Sequence, residues 1–187
     1  MQHYFDIRLR SDPEFPAHQL LVALYAKLHR ALVQLNSDTI GVCFPGYDES
    51  AQSLGNCLRL IGPAADLDRL LARDWLTGMH DHVSLDQLAQ VPADAVHRTL
   101  RRVQAKSSPE RLRRRQMKRH GLTEAQARER VPNHAAERLP WPFVSLASAS
   151  TSQRFRLYLH MGPVQPDAVP GSFNAYGLST QATIPCF

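Results

Sequence analysis

A short segment near the middle of the chain, PERLRRRQMKRH at residues 109–120, carries side chains that suit the binding of a polyanion. Helical spacing places Arg111, Arg114, Arg115 and Lys118 at positions i, i+3, i+4 and i+7. Residues at these spacings share one side of a helix, where like charges repel each other. A solvated surface helix usually interleaves both signs, whereas a cationic stripe fits a phosphate backbone. The pattern therefore favours a nucleic-acid-binding helix over an ordinary charged one.

The kind of cation and its distribution support the same interpretation. The chain has 19 arginines and three lysines, and residues 101–130 hold 11 of these cations against three acids, a local net charge of +8. The other 157 residues total −3, so the basic character belongs to one segment. Arginine presents a planar fork of donors that matches phosphates and base edges. Because no helix-turn-helix pattern is present and the neighbouring segments are β-rich, RNA is favoured over DNA.

One histidine and one group of hydroxyls are candidates for chemistry. His29 lies near the end of a helical segment, and a reference pKa of about 6.5 suits histidine to accept a proton at neutral pH. A single helical histidine is nevertheless more often a surface or half-buried residue. The hydroxyls of Ser145, Ser148, Ser150, Thr151 and Ser152 equally fit a polar loop. No G-x-S-x-G motif surrounds these serines, so a hydrolase triad has no support.

Other classes of site find little support in the sequence. The string HDH at residues 80–82 has no evident third ligand, and exposed polar residues are the favoured interpretation. Cys43, Cys57 and Cys186 are far apart and form no C-x-x-C pair, so we expect packing residues. No segment approaches the roughly 20 apolar residues of a membrane helix, and the charged N-terminal sequence does not fit a signal peptide. These features predict a cytoplasmic protein.

The elements that must position these groups follow a β-α-β-β-α-β order in the first half of the chain. Alternation predicts a strand at residues 3–9, and leucines at helical spacing predict a long helix at 17–34. The remaining elements are strands at 39–44 and 57–62, a helix at 65–76 and a weaker strand at 80–85. This order predicts a ferredoxin-like arrangement, in which two helices cover one face of an antiparallel sheet.

Helix signals flank the basic segment in the second half. Ser108 is a capping hydroxyl, and Gly121 is expected to end the basic helix. Thr123 and Gln126 match the capping-box pattern, which predicts a short second helix that Pro132 ends.

Strand patterns complete the second half. A candidate strand at 97–106 precedes the basic helix, and the string QRFRLYLHM at 153–161 alternates. Its two predicted faces are Phe155, Leu157 and Leu159 on one side, and Arg154, Arg156 and Tyr158 on the other. The C-terminal residues read as a turn and a short strand. With 187 residues, 43% of them apolar, the chain is expected to form an α+β fold with domains at 1–95 and 96–187. The second domain would carry the arginine-rich helix and the serine loop.

Several long strings together resemble a known family. They are HYFDIRL, DIRLRSDPEFP, KLHRAL, RVQAKSSPERLRRR, FVSLASAST before RFRL, and AYGLS. With these strings, which cover nearly the whole chain, the sequence is similar to the CRISPR-associated repeat-processing endoribonucleases of type I-F systems. The resemblance implies a ferredoxin-like domain with a second, RNA-binding domain. It also implies binding of the repeat stem-loop of precursor CRISPR RNA and cleavage at the base of the stem.

The same resemblance implies roles for individual residues. His29 would be the general base, Ser148 would position the attacking 2′-hydroxyl, and Tyr176 would help to orient the histidine or the nucleotide. Arg102 and Gln104 would read the last base pairs of the stem. The remaining RNA-binding residues would be Phe155 as a stacking platform, Ser150, Arg111, Arg114, Arg115, Lys118, Arg119 and His120. No metal or cofactor is implied, and the product would carry a 2′,3′-cyclic phosphate and a 5′-hydroxyl.

Three hypotheses about function follow. The first is a metal-independent, hairpin-specific endoribonuclease that retains its product RNA for the other subunits of a surveillance complex. The second is a non-catalytic hairpin-binding subunit in which His29 is idle. The third is a basic DNA-binding regulator, although no feature indicates a preference for duplex DNA. The retained His29, Ser148 and Tyr176 favour the first hypothesis over the second.

Overall fold

A computed structural model of the protein describes residues 2–105, 109–132, 139–148 and 153–187. Contacts divide the chain into two compact units, one formed by residues 1–103 with 141–187 and the other by residues 104–140. The second unit is thus an insertion within the sequence of the first. The predicted domain boundary near residue 95 remains a prediction.

The first unit contains a five-stranded antiparallel sheet. Its strands are β1 (His3–Leu9), β2 (Gly41–Cys43), β3 (Cys57–Gly62), β4 (Val83–Leu85) and β5 (Ala89–Gln90). The main order is β2-β3-β1-β4, and β5 pairs with the start of β1. Direct pairing of Phe5 with Leu60 and of Ile7 with Leu58 joins buried side chains across the central strands. The central strands therefore belong to the hydrophobic core, as their β-rich sequences predict.

Two helices accompany this sheet. Helix α1 spans Ala17–Leu35 and buries the leucines whose spacing predicted it, and Asn36 in the left-handed conformation (φ 51°) ends it. Helix α2 spans only Ala64–Leu71, so the predicted extension to residue 76 is wrong. Residues after α2 form turns, in which the Thr77 hydroxyl donates to the Asp74 carbonyl and Gly78 has a φ of +74°. Trp75 and Leu76 lie in these turns and not on a helix, and both side chains are buried.

Two predicted strands have different bounds in the structure. Residues His80–His82 form a 3₁₀ helix, in which the N–H of His82 donates to the Met79 carbonyl at 2.9 Å, and the strand begins only at Val83. His82 Nδ1 lies 2.8 Å from the Asp12 carboxylate. The predicted strand at 97–106 is divided into β6 (Val96–Arg98) and β7 (Leu100–Val103).

The division at Thr99 has a physical reason, since β6 and β7 belong to different sheets. Strand β6 pairs with β10 (Ile184–Cys186), whereas β7 pairs with β9 (Arg154–Met161). The chain therefore passes from one sheet to the other at Thr99.

A three-stranded sheet in the order β7-β9-β8 completes the first unit. Strand β8 spans Phe143–Ala147, so Ser145 lies in a strand and not in the polar loop that the hydroxyl cluster suggested. The predicted alternation of β9 is confirmed for Leu157 and Leu159, which are buried, and for Arg156, which is exposed. Tyr158 shares the face of Arg156 but is itself buried.

The second unit is a helical pair. Helix α3 spans Pro109–His120 and ends at Gly121, which has a φ of +61°, as predicted. Helix α4 spans Glu124–Arg130, and the side chains of Thr123 and Gln126 form both hydrogen bonds of the predicted capping box. The expected cap of α3, Ser108, lies outside the described residues. Ala127 and Val131 are buried within this unit.

The α+β class is confirmed by this mixture of helices and antiparallel strands. Cys43 and Cys57 are buried as expected of packing residues, and Cys186 is half-buried. No helix within the described residues is long and apolar enough to cross a membrane.

Candidate functional site

His29 lies in the last third of α1, half-buried, with its ring directed at a backbone oxygen. The distance from Nδ1 to the carbonyl oxygen of Ala175 is 2.8 Å. A carbonyl oxygen only accepts hydrogen bonds, so Nδ1 carries the proton in the neutral ring. The other ring nitrogen, Nε2, is then unprotonated, and it is the atom that can accept a proton.

The plane of the His29 ring is fixed by an aromatic stack. The rings of His29 and Tyr176 lie 3.9 Å apart between centroids and only 6° from parallel. On the helix, Tyr25 precedes His29 by one turn, and its ring lies 6.4 Å from that of Tyr176. The three rings leave the imidazole little freedom to rotate, because stacking fixes its plane and the Nδ1 hydrogen bond fixes its orientation within that plane.

The segment of residues 174–178, here called the 174–178 loop, is held by hydrogen bonds at several points. Asn174 Oδ1 accepts from the backbone N–H groups of Tyr176 (2.8 Å) and Leu178 (3.3 Å). The Tyr25 hydroxyl donates to the Tyr176 carbonyl at 2.7 Å. Burial, together with the nearby Tyr176, raises the pKa of Tyr25, so this hydroxyl stays protonated and remains a donor. The carbonyl that orients His29 is therefore part of a fixed loop.

Gly177 allows this loop to approach β2 closely. Its φ is +68°, a conformation that favours glycine, and its carbonyl accepts from the N–H of Val42 at 3.0 Å. A Cβ at this position would lie 2.6 Å from Val42 Cγ1 and 3.2 Å from Val42 N. A larger residue would force the loop or Val42 to shift, and the Ala175 carbonyl lies only two residues from this contact.

Ser148, the third predicted catalytic residue, follows the last residue of β8. It is half-buried, and its backbone N–H donates to the Gln153 carbonyl at 2.9 Å. This bond continues the β8–β9 pairing by one step beyond the strands. The structure thus brings His29 and Tyr176 into direct contact and places Ser148 at the end of a strand in the same unit. Ser150 lies outside the described residues.

Two of the predicted RNA-binding residues in the first unit are neighbours. The guanidinium carbon of Arg102 lies 5.6 Å from the centroid of the Phe155 ring, within the range of a cation–π interaction. Arg102 is exposed on β7, and Phe155 is half-buried on β9 against the core. This pair provides an exposed cation beside an aromatic ring, which suits contact with a nucleotide.

The remaining predicted RNA-binding residues belong to the second unit. All of them are exposed, namely Gln104, Arg111, Arg114, Arg115, Lys118, Arg119 and His120. The half-buried side of α3 includes the two apolar residues predicted to pack, Leu112 and Met117. Arg113, also half-buried, donates from Nε to the Val131 carbonyl at 2.7 Å and ties α3 to the end of α4. The structure confirms the helix and the exposure of the cationic stripe.

Sequence reasoning missed the residues that support His29. Tyr25 lies four residues before His29, which places both on one side of α1, and this spacing was an available signal. Asn174 and Gly177 form an N-x-x-G turn pattern, but the sequence does not show which helix such a turn meets. His80, Asp81 and His82 do not form a metal site, and no cluster of three or more potential ligands exists among the described residues.

Known proteins resemble this chain over its whole length. The family model described as CRISPR-associated protein (Cas_Csy4) matches residues 4–187. A relative from Pseudomonas aeruginosa (strain UCBPP-PA14), named CRISPR-associated endonuclease Cas6/Csy4, is 52% identical over 187 residues, which is 100% of both chains. A relative of the same name from Escherichia coli (strain UTI89 / UPEC) is 42% identical, also over 100% of both chains.

Proposed function

The chain belongs to the Cas_Csy4 family of CRISPR-associated proteins, as its resemblance predicted, and from this premise we propose that it is an endoribonuclease that processes precursor CRISPR RNA. In this proposal the chain binds the repeat stem-loop and cuts the RNA at the base of the stem. The observation that carries it is the His29 ring, held by Ala175 and Tyr176 with Nε2 available as a proton acceptor.

The proposed reaction is an internal attack by a 2′-hydroxyl on the adjacent phosphate. The hydroxyl gives its proton to Nε2 of His29, and its oxygen forms a bond to phosphorus. The bond from phosphorus to the next 5′ oxygen breaks, and that oxygen takes up a proton. The products are a 2′,3′-cyclic phosphate and a 5′-hydroxyl.

Tethering and orientation account for the rate in this scheme. The nucleophile is already attached beside the phosphate, so in-line alignment and removal of one proton are sufficient, and no metal ion is required. Ser148 would position the 2′-hydroxyl, and Tyr176 would keep the imidazole in the plane that proton transfer needs. His29 then acts as the general base.

Hairpin binding would combine electrostatic and stacking contacts. The exposed cations of α3 would lie along the phosphates of the stem. Arg102, with Gln104, would contact the closing base pairs, and Phe155 would stack on a base at the end of the stem. Retention of the product for other subunits of a surveillance complex, in the cytoplasm, is part of the same proposal.

We also propose the ferredoxin-like arrangement for the N-terminal part of the chain. The element order from β1 to β4 and the antiparallel sheet order β2-β3-β1-β4 support it.

Cleavage of matched hairpins in EDTA tests the function. One hairpin is all ribose, and the other has a single 2′-deoxy nucleotide before the scissile phosphate. We expect equal binding of both, cleavage of the all-ribose hairpin alone, and cyclic-phosphate ends in the product. Cleavage of both hairpins, or cleavage that needs an added divalent ion, would overturn the mechanism. Tight binding without cleavage would instead indicate a hairpin-binding subunit.

A further inference from the structure

The β7-β9-β8 sheet has a second basic surface, on the side opposite Arg102 and Phe155. Directly paired residues of a sheet project from the same face, and successive residues of a strand project from opposite faces. Arg101 pairs with His160, Ser145 with Arg156, and Ala147 with Arg154. Phe143 pairs with Tyr158 on the same side. We call the surface formed by Arg101, Phe143, Arg154 and Arg156 the outer face.

Cations and aromatic rings alternate on the outer face. The guanidinium carbon of Arg156 lies 4.9 Å from the centroid of the Phe143 ring, and Phe143 in turn lies 5.3 Å from the buried Tyr158 ring. Arg101 Nε donates to His160 Nδ1 at 3.3 Å. Burial and the positive Arg101 lower the pKa of His160, so His160 is neutral and accepts this bond. Arg101 and Arg156 are therefore oriented by rings instead of by acids.

The outer face is exposed and basic. Arg101, Arg154 and Arg156 are exposed, and Phe143 is 37% exposed although it is a large aromatic residue. Among the described residues, no carboxylate forms an ion pair with any of these arginines. The nearby acid Glu49 accepts a hydrogen bond from Trp141 Nε1 at 3.1 Å. The surface thus presents positive charge together with an aromatic ring.

We propose that the outer face binds single-stranded RNA that adjoins the base of the repeat hairpin. Exposed aromatic rings bind bases that are free to leave a stack, and guanidinium groups bind phosphates and stack on bases. Away from its ends, a duplex offers no free base face to Phe143, so the surface suits an unpaired strand. The identity of this strand rests on the proposed function, because the flank belongs to the same precursor RNA.

The position of the outer face relative to Phe155 explains why the ligand is the flank and not a separate molecule. Phe155 lies between Arg154 and Arg156 along β9 but projects from the other side of the sheet. Arg154 is the first residue of β9, so a strand that leaves the hairpin base at Phe155 would reach these arginines by passing round that end of the sheet. The hairpin and its flank would then be bound on the two faces of the β7-β9-β8 sheet.

Binding of 2′-deoxy hairpins, which the proposed mechanism does not cleave, tests this surface. A bare hairpin is compared with hairpins that carry about ten unpaired nucleotides at the 5′ or the 3′ end. We expect one of these flanks to tighten binding by about tenfold, which is roughly the contribution of one stacked base. The double variant Arg154→Ala/Arg156→Ala should lose this gain and keep its affinity for the bare hairpin. The control Arg10→Ala/Arg73→Ala removes the same charge from two other exposed arginines and should keep the gain.

A second measurement does not depend on the hairpin. An unstructured oligouridylate should crosslink to the tryptic peptide that contains Phe143, and the Arg154→Ala/Arg156→Ala variant should bind it about tenfold more weakly than the control variant does. The proposal is overturned if both variants keep the flank gain, if the wild type shows no gain, or if blunt duplex RNA competes as well as the single strand. If the outer face binds only an acidic protein, the wild type will show no gain in affinity from the flank. Failure of the bare hairpin to bind would count against the proposed function, and the oligouridylate would still decide whether the outer face binds single strands.

Discussion

The 174–178 loop with His29 and the helix α3 are two contrasting ways to build a functional surface. The loop is fixed by short hydrogen bonds to buried or backbone groups, and it sets the orientation of one imidazole within narrow limits. Helix α3 exposes a row of cations on a pair of short helices with few buried side chains. Geometry matters for the first surface and charge density for the second. We therefore expect changes at the loop to alter the cleavage rate and changes at α3 to alter affinity.

Replacement of His29 should produce the largest effect on cleavage and the clearest separation of cleavage rate from hairpin affinity. Loss of a general base typically lowers the rate by 10²- to 10⁴-fold, so His29→Ala should reduce single-turnover cleavage by about that factor. The affinity for the uncleavable hairpin should stay within about twofold of the wild type. A comparable loss of affinity would show that His29 serves in RNA binding, and the contrast between the two regions would fail.

Removal of two cations from α3 should give the opposite result. Arg114→Ala/Arg115→Ala should weaken hairpin binding by about ten- to a hundredfold and reduce the slope of log affinity against log salt by about one for each arginine. Cleavage of the saturated complex should be nearly unchanged. The matched control Arg128→Ala on α4, where Arg128 pairs with Glu124, should change the salt dependence little. An unaltered slope in the double variant would contradict the role of the cationic stripe.

Two glycines test whether the 174–178 loop positions His29, with the smallest expected effect. Both have positive φ, and only one of the two has close neighbours. Gly177→Ala adds a Cβ against Val42, whereas Gly78→Ala adds one with no atom within 4 Å. Both should lose about 1 to 2 kcal/mol of folding stability from the strained backbone, and Gly177→Ala should lose more. Only Gly177→Ala should slow cleavage, by about tenfold, with hairpin affinity retained. Equal rates in the two variants would mean that the loop does not position His29.

Much of the fold follows from local signals in the sequence. The bounds of α3, its end at Gly121 and the capping box of Thr123 were predicted because each depends on neighbouring residues. The errors arose where distant segments decide the structure. The strand break at Thr99 depends on two different pairing partners, and the 3₁₀ helix at His80–His82 lies beside a contact with Asp12, about 70 residues away in sequence.

Contacts between distant segments also limited what could be predicted of the candidate site. His29 was a candidate from its residue type, but its role and that of Tyr176 were assigned through a family resemblance. Their stacking joins residues almost 150 positions apart. No periodicity relates residues at such a separation, so the support from Asn174 and Gly177 was not visible in the sequence. The exposure of the α3 cations was predictable, since a helix with few apolar residues has little surface to bury.

The partner of His29 Nδ1 is a peptide oxygen and not a side chain, and this has an evolutionary consequence. Nearly every codon change at position 175 leaves that oxygen in the chain, so point substitution there rarely abolishes the hydrogen bond directly. An insertion or deletion within the 174–178 loop, between its anchor points at Asn174 and Gly177, is different, because it can shift another carbonyl into register or none at all. Selection on the imidazole's orientation would then act on the length of this segment more than on the identity of residue 175.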